Sequence, residues 1–307
     1  MSFTRNLVSC ILVGLCFAGC HQQDDTPSGM VPQNPSPMVD HIRNHQRIKP
    51  DSFRGMEFEV SDLLDQPIHV FIPDRKTDSG FQAVWFHFHG ASFILQNAIT
   101  NARESMIGVN IQLGSGSSAY EKPFFDEATF VNLLEVVFDK CQSYGVLTNP
   151  EPEIYLSSFS AGYGAIRRIL SAHAAKIDGV VLLDGLHTDY IPDGRTLFEG
   201  GEIDKEKLQI FITFAGMALS HQKKMLITHS EIFPGTYAST TETADILIEA
   251  LGLKRRAVLE WGPGGMQMIA ETRSGSVAIW GFAGNSAPDH LDHLHGLPYF
   301  MNQVTEF

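Results

Sequence analysis

The segment that most constrains the fold is a turn of small residues between an apolar run and a helical pattern. The run, Glu153–Leu156, is predicted to be a strand, and the helical pattern begins at Tyr163. A strand, a tight turn and a helix in this order form a nucleophile elbow when the residues two before and two after the central one are small. Ser158 and Gly162 satisfy this condition around Ser160.

Ser160 is therefore predicted to stand at the carboxyl end of a central strand and at the amino end of a helix. The backbone N–H of Ala161 would face the same point as the Ser160 hydroxyl. A nucleophile next to an N–H donor indicates acyl transfer through a serine ester. The alternative is a loop of serine and glycine that only caps the helix.

Strand and helix patterns alternate along the rest of the chain. Nearly continuous apolar runs are typical of strands buried on both faces, as in a parallel sheet. The pattern predicts the α/β class, with a doubly wound, mostly parallel sheet. The predicted strands are 56–60, 69–72, 82–89, 106–113, 153–156, 179–184, 224–228, 257–261 and 277–282, and the predicted helices are 126–144, 163–174, 239–251 and one from about residue 290.

A second glycine-containing loop follows the predicted strand 82–89. Gly90 would let the backbone approach a reacting group closely, and the N–H of Ala91 would be the donor. The segment Trp85–Ser92 resembles the strand-to-loop H-G-x segment that supplies an oxyanion donor in α/β-hydrolases. An ordinary glycine turn at the end of a strand is the alternative.

From about Met56 to the C-terminus, the chain resembles the α/β-hydrolase superfamily. Three segments, 184–190, 227–235 and 281–290, resemble more narrowly a group of exported bacterial hydrolases with no settled function. The superfamily resemblance implies the fold and a chain order of serine, acid and histidine. It implies no substrate.

The resemblance places the base in a loop just before the last helix. His290 follows an irregular loop and is the first candidate, His293 lies one turn further on, and His295 is expected on the helix surface or in the core. The acid has two candidates at strand ends. Asp184 is preferred, and Glu231 is the alternative.

Two other functions use the same sequence features. His87 and His89 would share one face of a strand, and with His290 and His293, aided by Asp289, they could hold a metal ion in a metal-dependent hydrolase. The chain could also be a non-catalytic binding lipoprotein with this fold. The preferred hypothesis, a serine hydrolase of esters, needs no cofactor.

The amino end predicts export. One basic residue, a short apolar run and small residues before Cys20 describe a lipoprotein signal over residues 1–19. Cys20 would carry lipid, residues 20–45 would form a flexible tether, and residues 46–307 would form the catalytic domain. The protein is then expected in the bacterial cell envelope, anchored to a membrane through this lipid.

Composition limits the partners. The formal net charge of −13 argues against nucleic acid binding. Cys141 would be the single cysteine left beyond the lipidated one, so no disulfide framework is expected. The expected substrate is a small-molecule or envelope ester. The candidate aromatic walls of its pocket are Phe159, Tyr163, Tyr190, Phe233 and Trp261.

Overall fold

The computed structural model describes residues 45–75, 80–147 and 149–307. The predicted signal, Cys20 and nearly the whole tether lie outside the described residues. Within the described ranges, no helix is both long and apolar enough to cross a membrane. Cys141 is a buried free thiol.

The described strands are those of one large sheet and one small ribbon. They are β1 (Gly55–Val60), β2 (Ile68–Pro73), β3 (Ala83–Phe88), β4 (Met106–Ile111), β5 (Glu153–Phe159), β6 (Gly179–Leu183), β7 (Tyr190–Ile191), β8 (Glu202–Ile203), β9 (Lys224–His229), β10 (Arg256–Trp261), β11 (Gln267–Ser274) and β12 (Val277–Phe282). The two-residue strands β7 and β8 pair with each other.

The large sheet has the strand order β1-β2-β4-β3-β5-β6-β9-β12-β11-β10 in the described part of the chain. The central strands from β4 to β12 pair in parallel, and the strands at both edges pair antiparallel. Parallel neighbours require crossover connections, which the intervening segments provide. The predicted doubly wound, mostly parallel architecture is confirmed.

Helices cover both faces of the sheet. They are α1 (Ser92–Thr100), α2 (Ser117–Glu121), α3 (Glu127–Ser143), α4 (Tyr163–His173), α5 (Gln209–Leu219), α6 (Thr240–Ala250), α7 (Ala287–His295) and α8 (Leu297–Thr305). Side chains of α3 to α6 enter one hydrophobic core, and those of α1, α7 and α8 enter a second. Side chains along β3 alternate between the two cores. Val84 and Phe86 lie in the first core, and Trp85 lies in the second.

Two of the later helices start at capping boxes. Ser239 and Glu242 form the predicted capping box at the start of α6. The last helical region differs from the prediction because it begins earlier, at Ala287, and divides into α7 and α8. The side chain of Ser286 caps α7, and Asp289 completes that capping box. His290 therefore lies within the first turns of α7 rather than at its start.

Strand β11 is missing from the sequence prediction. Its residues, Gln267–Ser274, are mostly half-buried and include several polar side chains. It joins β10 and β12 through antiparallel pairs at one edge of the sheet. Only β10 separates β11 from the edge of the sheet, and β11 is only partly buried there, so it lacks the apolar run that marks the central strands.

Candidate active site

The predicted elbow has the expected backbone geometry. Strand β5 ends at Phe159, a short 3₁₀ turn covers Ser160–Gly162, and α4 follows directly. Ser160 has a φ of 47°, in the left-handed region that non-glycine residues rarely occupy. Such strain is typical of residues that the surrounding structure holds for function.

Two glycines make room for this turn. A Cβ on Gly162 would overlap the carbonyl oxygen of Phe88, at the end of β3. A Cβ on Gly185 would overlap the backbone of Ser160 itself. The ends of three neighbouring strands can therefore crowd around Ser160 only because these two positions lack side chains. The requirement at Gly162 was predictable, whereas the one at Gly185 depends on a contact between strands.

His290 and Asp184 meet across the end of the sheet. Asp184 directly follows β6, and His290 lies on α7. The His290 Nδ1 is 2.7 Å from the Asp184 Oδ2, although 106 positions separate the two residues in the chain. The ring of His290 also stands against that of Phe159, with 4.4 Å between the ring centroids.

Asp184 is buried and held by further donors. Its Oδ1 accepts hydrogen bonds from the backbone N–H of Ser230 at 2.8 Å and from the Thr240 hydroxyl at 2.6 Å. Burial alone would raise the pKa of this carboxyl, but the charge of His293 and the hydrogen bonds from His290 and Thr240 hold the pKa well below its ordinary value. Asp184 is therefore a carboxylate at neutral pH.

A cavity of about 470 Å³ opens beside these groups. Ser160, Asp184 and His290 all line it, together with Ala161. The remaining lining residues come from three loops and the starts of α2, α4 and α6. They are Ser115, Gly116, Ser117, Ser118, Tyr163, His187, Thr188, Asp189, Ile232, Pro234, Tyr237 and Thr240.

The two predicted oxyanion donors differ in position. Ala161 is buried and lines the cavity next to Ser160. Ala91 is exposed, caps α1 and does not belong to the cavity lining. The preceding Gly90 donates its N–H to Gln112 Oε1 at 2.8 Å, which fixes this loop against the segment after β4.

The alternative acid, Glu231, points elsewhere. Its carboxylate accepts a hydrogen bond from the backbone N–H of Gly284 at 3.2 Å, and its own N–H donates to the Gly284 carbonyl at 2.9 Å. Glu231 therefore joins the loop after β9 to the loop after β12. The structure brings Asp184, and not Glu231, to His290.

The alternative base, His293, lies behind the acid. It is buried, its Nδ1 is 2.7 Å from the Thr228 hydroxyl, and it does not line the cavity. His295 accepts a hydrogen bond from the backbone N–H of Ile48 at 2.9 Å. The histidine of α7 that reaches the cavity is thus His290.

The histidines proposed as metal ligands do not converge in the described part of the chain. His87 is fully buried and contacts the Ser157 hydroxyl at 2.8 Å. His89 stacks on Tyr120 with 5.2 Å between ring centroids. Burial lowers the pKa of His87 to about 3 and that of His89 to about 4, so both are neutral.

A different group brings three possible ligands together among the described residues, namely His45, Asp289 and Asp292. Each has a structural partner that occupies it. Asp289 caps α7, and Asp292 pairs with both His45 and Arg47. This cluster therefore holds the segment before β1 against α7.

Of the five aromatic residues predicted to line the pocket, only Tyr163 lines the cavity. Tyr190 is buried and donates its hydroxyl to Glu242, while Trp261 is 77% exposed at the far edge strand. Phe159 contacts the ring of His290 from outside the lining. Tyr237 and His187 supply aromatic surface that the sequence did not reveal, because both lie in irregular loops.

Comparisons with known proteins agree with this architecture. A solved structure named FAE has a TM-score of 0.51 and 14% identity, over 90% of this chain and 96% of its own. A mutant of the feruloyl esterase module from Clostridium thermocellum, complexed with sinapinate, has a TM-score of 0.50 and 14% identity, over 90% of this chain and 95% of its own. No family model and no curated protein sequence matches the chain. The chain has the α/β-hydrolase fold.

Proposed function

We propose that this protein hydrolyses carboxylic esters through an acyl-enzyme on Ser160, with His290 as the base and Asp184 as the acid. The observation that carries the proposal is the 2.7 Å contact between His290 and the buried Asp184, beside a cavity that also contains Ser160. A strained serine, a histidine and a carboxylate at one cavity are the three groups of a serine hydrolase.

The contact defines the role of each nitrogen of His290. Because Asp184 is a carboxylate, the Nδ1–H donates to it and Nε2 is left as the base. The Ser160 Oγ attacks the ester carbonyl carbon while Nε2 takes its proton. The same proton then passes to the leaving alcohol as the acyl-enzyme forms. Water, activated by Nε2, releases the acid and restores Ser160.

The negative charge that develops on the carbonyl oxygen needs N–H donors. Ala161 supplies the first because its backbone adjoins Ser160 in the elbow and lines the cavity. Ala91, in the loop after β3, is proposed as the second. One such donor contributes roughly 3 kcal/mol to the stability of the transition state. The ester chemistry of the feruloyl esterase module, which shares this fold, agrees with the proposal.

The test combines covalent labelling with turnover. A fluorophosphonate probe should label Ser160 in the wild-type domain, and Ser160→Ala should abolish both labelling and hydrolysis of 4-nitrophenyl acetate. Ser158→Ala is the matched control, because its buried hydroxyl has no hydrogen-bond partner within the described ranges and alanine fits the elbow. Hydrolysis that survives in Ser160→Ala and disappears with a chelator would instead establish the metal-dependent alternative. A wild-type protein that is neither labelled nor active would point to a binding role.

We also propose that Cys20 carries lipid and that residues 20–45 tether the domain to an envelope membrane. The support is the signal-like sequence before Cys20. Cys20→Ser should move the full-length protein from the membrane fraction to the soluble fraction and leave its ester hydrolysis intact. A variant that stays in the membrane with its signal uncleaved would contradict this proposal.

A further inference from the structure

His187 is a second histidine of the same cavity, three residues beyond Asp184. The rings of Tyr163 and Tyr237 meet it steeply, at centroid distances of 5.9 and 4.9 Å and interplanar angles of 69° and 83°. A ring held from two sides cannot turn freely. The positions of both imidazole nitrogens are therefore set before a substrate arrives.

The partner of one nitrogen determines the protonation of the other. Nδ1 of His187 lies 3.0 Å from the carbonyl oxygen of Ala238. A carbonyl oxygen can only accept, so Nδ1 must carry the hydrogen. Burial lowers the pKa of His187, although the Ala238 carbonyl and the Asp184 charge oppose this shift. The ring is neutral at neutral pH, and Nε2 holds a lone pair.

This lone pair is available to a ligand. Nε2 makes no hydrogen bond to any described residue. It does not belong to the buried polar atoms without a partner, so part of its surface is accessible. Because His187 lines the cavity, its accessible nitrogen can meet a ligand there. A fixed acceptor without a protein donor is a recognition group for a donor on the substrate.

The rest of the lining is better suited to a neutral ligand than to a charged one. Serine, threonine and tyrosine hydroxyls dominate it, and it contains no lysine or arginine in the described part of the chain. No cation is thus in place to bind a carboxylate or a phosphate. Asp189 also lines the cavity, but its carboxylate is already paired with the Lys207 ammonium.

We propose that Nε2 of His187 accepts a hydrogen bond from a hydroxyl group of the substrate, so that the enzyme selects neutral esters that carry a free hydroxyl. The inference rests on the proposed ester hydrolysis at Ser160 and names its substrate class. The hydroxyl can belong to the acyl part or to the alcohol part of the ester. His187 is then a specificity-determining residue, and it takes no part in proton transfer to Ser160.

Two probe pairs separate the two sources of the hydroxyl. Ethyl 4-hydroxybenzoate and ethyl 4-methoxybenzoate differ in a donor on the acyl side. Glycerol 1-butyrate and its di-O-methyl ether differ in donors on the alcohol side. The wild-type enzyme should prefer the hydroxyl-bearing member of at least one pair by roughly tenfold or more in kcat/KM, mainly through KM.

Variants of His187 test whether this acceptor is the cause. His187→Phe should bring the ratio of kcat/KM values in that pair to near one. His187→Gln should retain part of the preference, since its amide N–H can donate to Ala238 while its oxygen accepts from the substrate. His173→Phe is the matched control, because His173 also contacts a backbone carbonyl but lies on the surface of α4. It should leave the ratio unchanged.

The outcomes distinguish this inference from the function on which it rests. Equal hydrolysis of both members in both pairs, by a wild-type protein that the fluorophosphonate probe labels at Ser160, would overturn the inference and leave the serine hydrolase intact. An unchanged preference in folded His187→Phe would overturn it as well. Failure of the wild-type protein to be labelled or to hydrolyse any ester would remove the proposed function itself.

Discussion

The two histidines of the cavity differ in the chemistry of their hydrogen-bond partners. His290 has a buried carboxylate as its partner, and His187 has a backbone carbonyl. A carboxylate stabilises the imidazolium that forms when the ring accepts a proton, whereas a carbonyl orients a neutral ring without compensating a full charge. The same side chain is thus suited to proton transfer at one wall and to recognition at the other.

The supports of the two walls differ in the same way. The wall of Ser160, Asp184 and His290, here called the reacting wall, is fixed by buried hydrogen bonds and close backbone packing at the strand ends. The wall of His187, Tyr163 and Tyr237, here called the binding wall, is formed by contacts between rings, two of them on loops and that of Tyr163 at the start of α4. Changes at the reacting wall should therefore affect kcat, and changes at the binding wall should affect substrate choice.

The largest expected effect concerns His290, the proposed base. His290→Ala should reduce kcat by roughly 10⁶-fold, about as much as loss of Ser160, because the base and the nucleophile act as a unit. His293→Ala should be much milder in kcat, since His293 contacts Thr228 behind the acid. Steady-state kinetics on 4-nitrophenyl acetate would check both. Equal losses in the two variants would contradict the assignment of the base.

The next effect concerns the acid. Asp184→Asn should lower kcat by roughly 10⁴-fold, because the amide cannot stabilise the imidazolium and favours the wrong tautomer. Glu231→Gln is the control, since its carboxylate contacts the Gly284 backbone and the amide can preserve part of that contact. It should retain most of the activity. A severe loss in Glu231→Gln together with a mild one in Asp184→Asn would reverse the assignment of the acid.

The sequence specifies the reacting wall only in part. Ser160 is predictable because the strand, the turn and the small neighbours that define it are local. Asp184 and Glu231 both follow apolar strands. Asp184 is preferred because it is shorter and directly follows its strand, but this local difference does not decide which carboxylate meets the base. Their difference arises when α7 brings His290 to the end of β6, across 106 positions. The resemblance to α/β-hydrolases supplied the order of the residues but not this contact.

The binding wall was less predictable still. His187 and Tyr237 lie in loops without periodicity, so burial, ring orientation and hydrogen-bond partner depend on tertiary packing. Aromatic side chains near the motifs were poor guides, as Tyr190 entered the core and Trp261 reached an exposed edge. The position of Ala91 outside the cavity lining also depends on tertiary structure, since Gln112 fixes the preceding glycine from a neighbouring loop.

Low pH should destabilise the protein through two buried histidines on strands that support the reacting wall. Burial and the Arg255 charge lower the pKa of His229 to about 4, and burial lowers that of His87 to about 3. Below about pH 6.5 the unfolded chain binds protons that these folded histidines do not bind, so the free energy of unfolding falls with pH. Each should contribute a loss of about 2 kcal/mol between pH 7 and 5.

Urea unfolding at pH 7, 6 and 5 would measure this loss. His229→Gln should make the free energy of unfolding depend less on pH, because unfolding then takes up about one proton fewer. A glutamine can still accept a hydrogen bond from Arg255, but it does not titrate. His221→Gln is the control, because His221 is an exposed histidine whose ring contacts the Ser276 hydroxyl. A wild-type protein whose free energy of unfolding does not change between pH 7 and 5 would contradict the neutral state of the two buried rings.

The smallest expected effect distinguishes a threonine that supports Asp184 from one that supports only the fold. Thr240→Val removes the hydroxyl that donates to Asp184 Oδ1 but nearly preserves the shape of the side chain. It should cost about 1 kcal/mol of the free energy of unfolding and also lower kcat several-fold, since Asp184 loses one of its fixed donors. Thr243→Val, on the same helix, removes a buried hydroxyl that donates to the Leu186 carbonyl instead. Its loss of stability should be similar and its kcat unchanged. If both variants lose kcat equally, the donor from Thr240 supports only the packing of α6 and not the reacting wall.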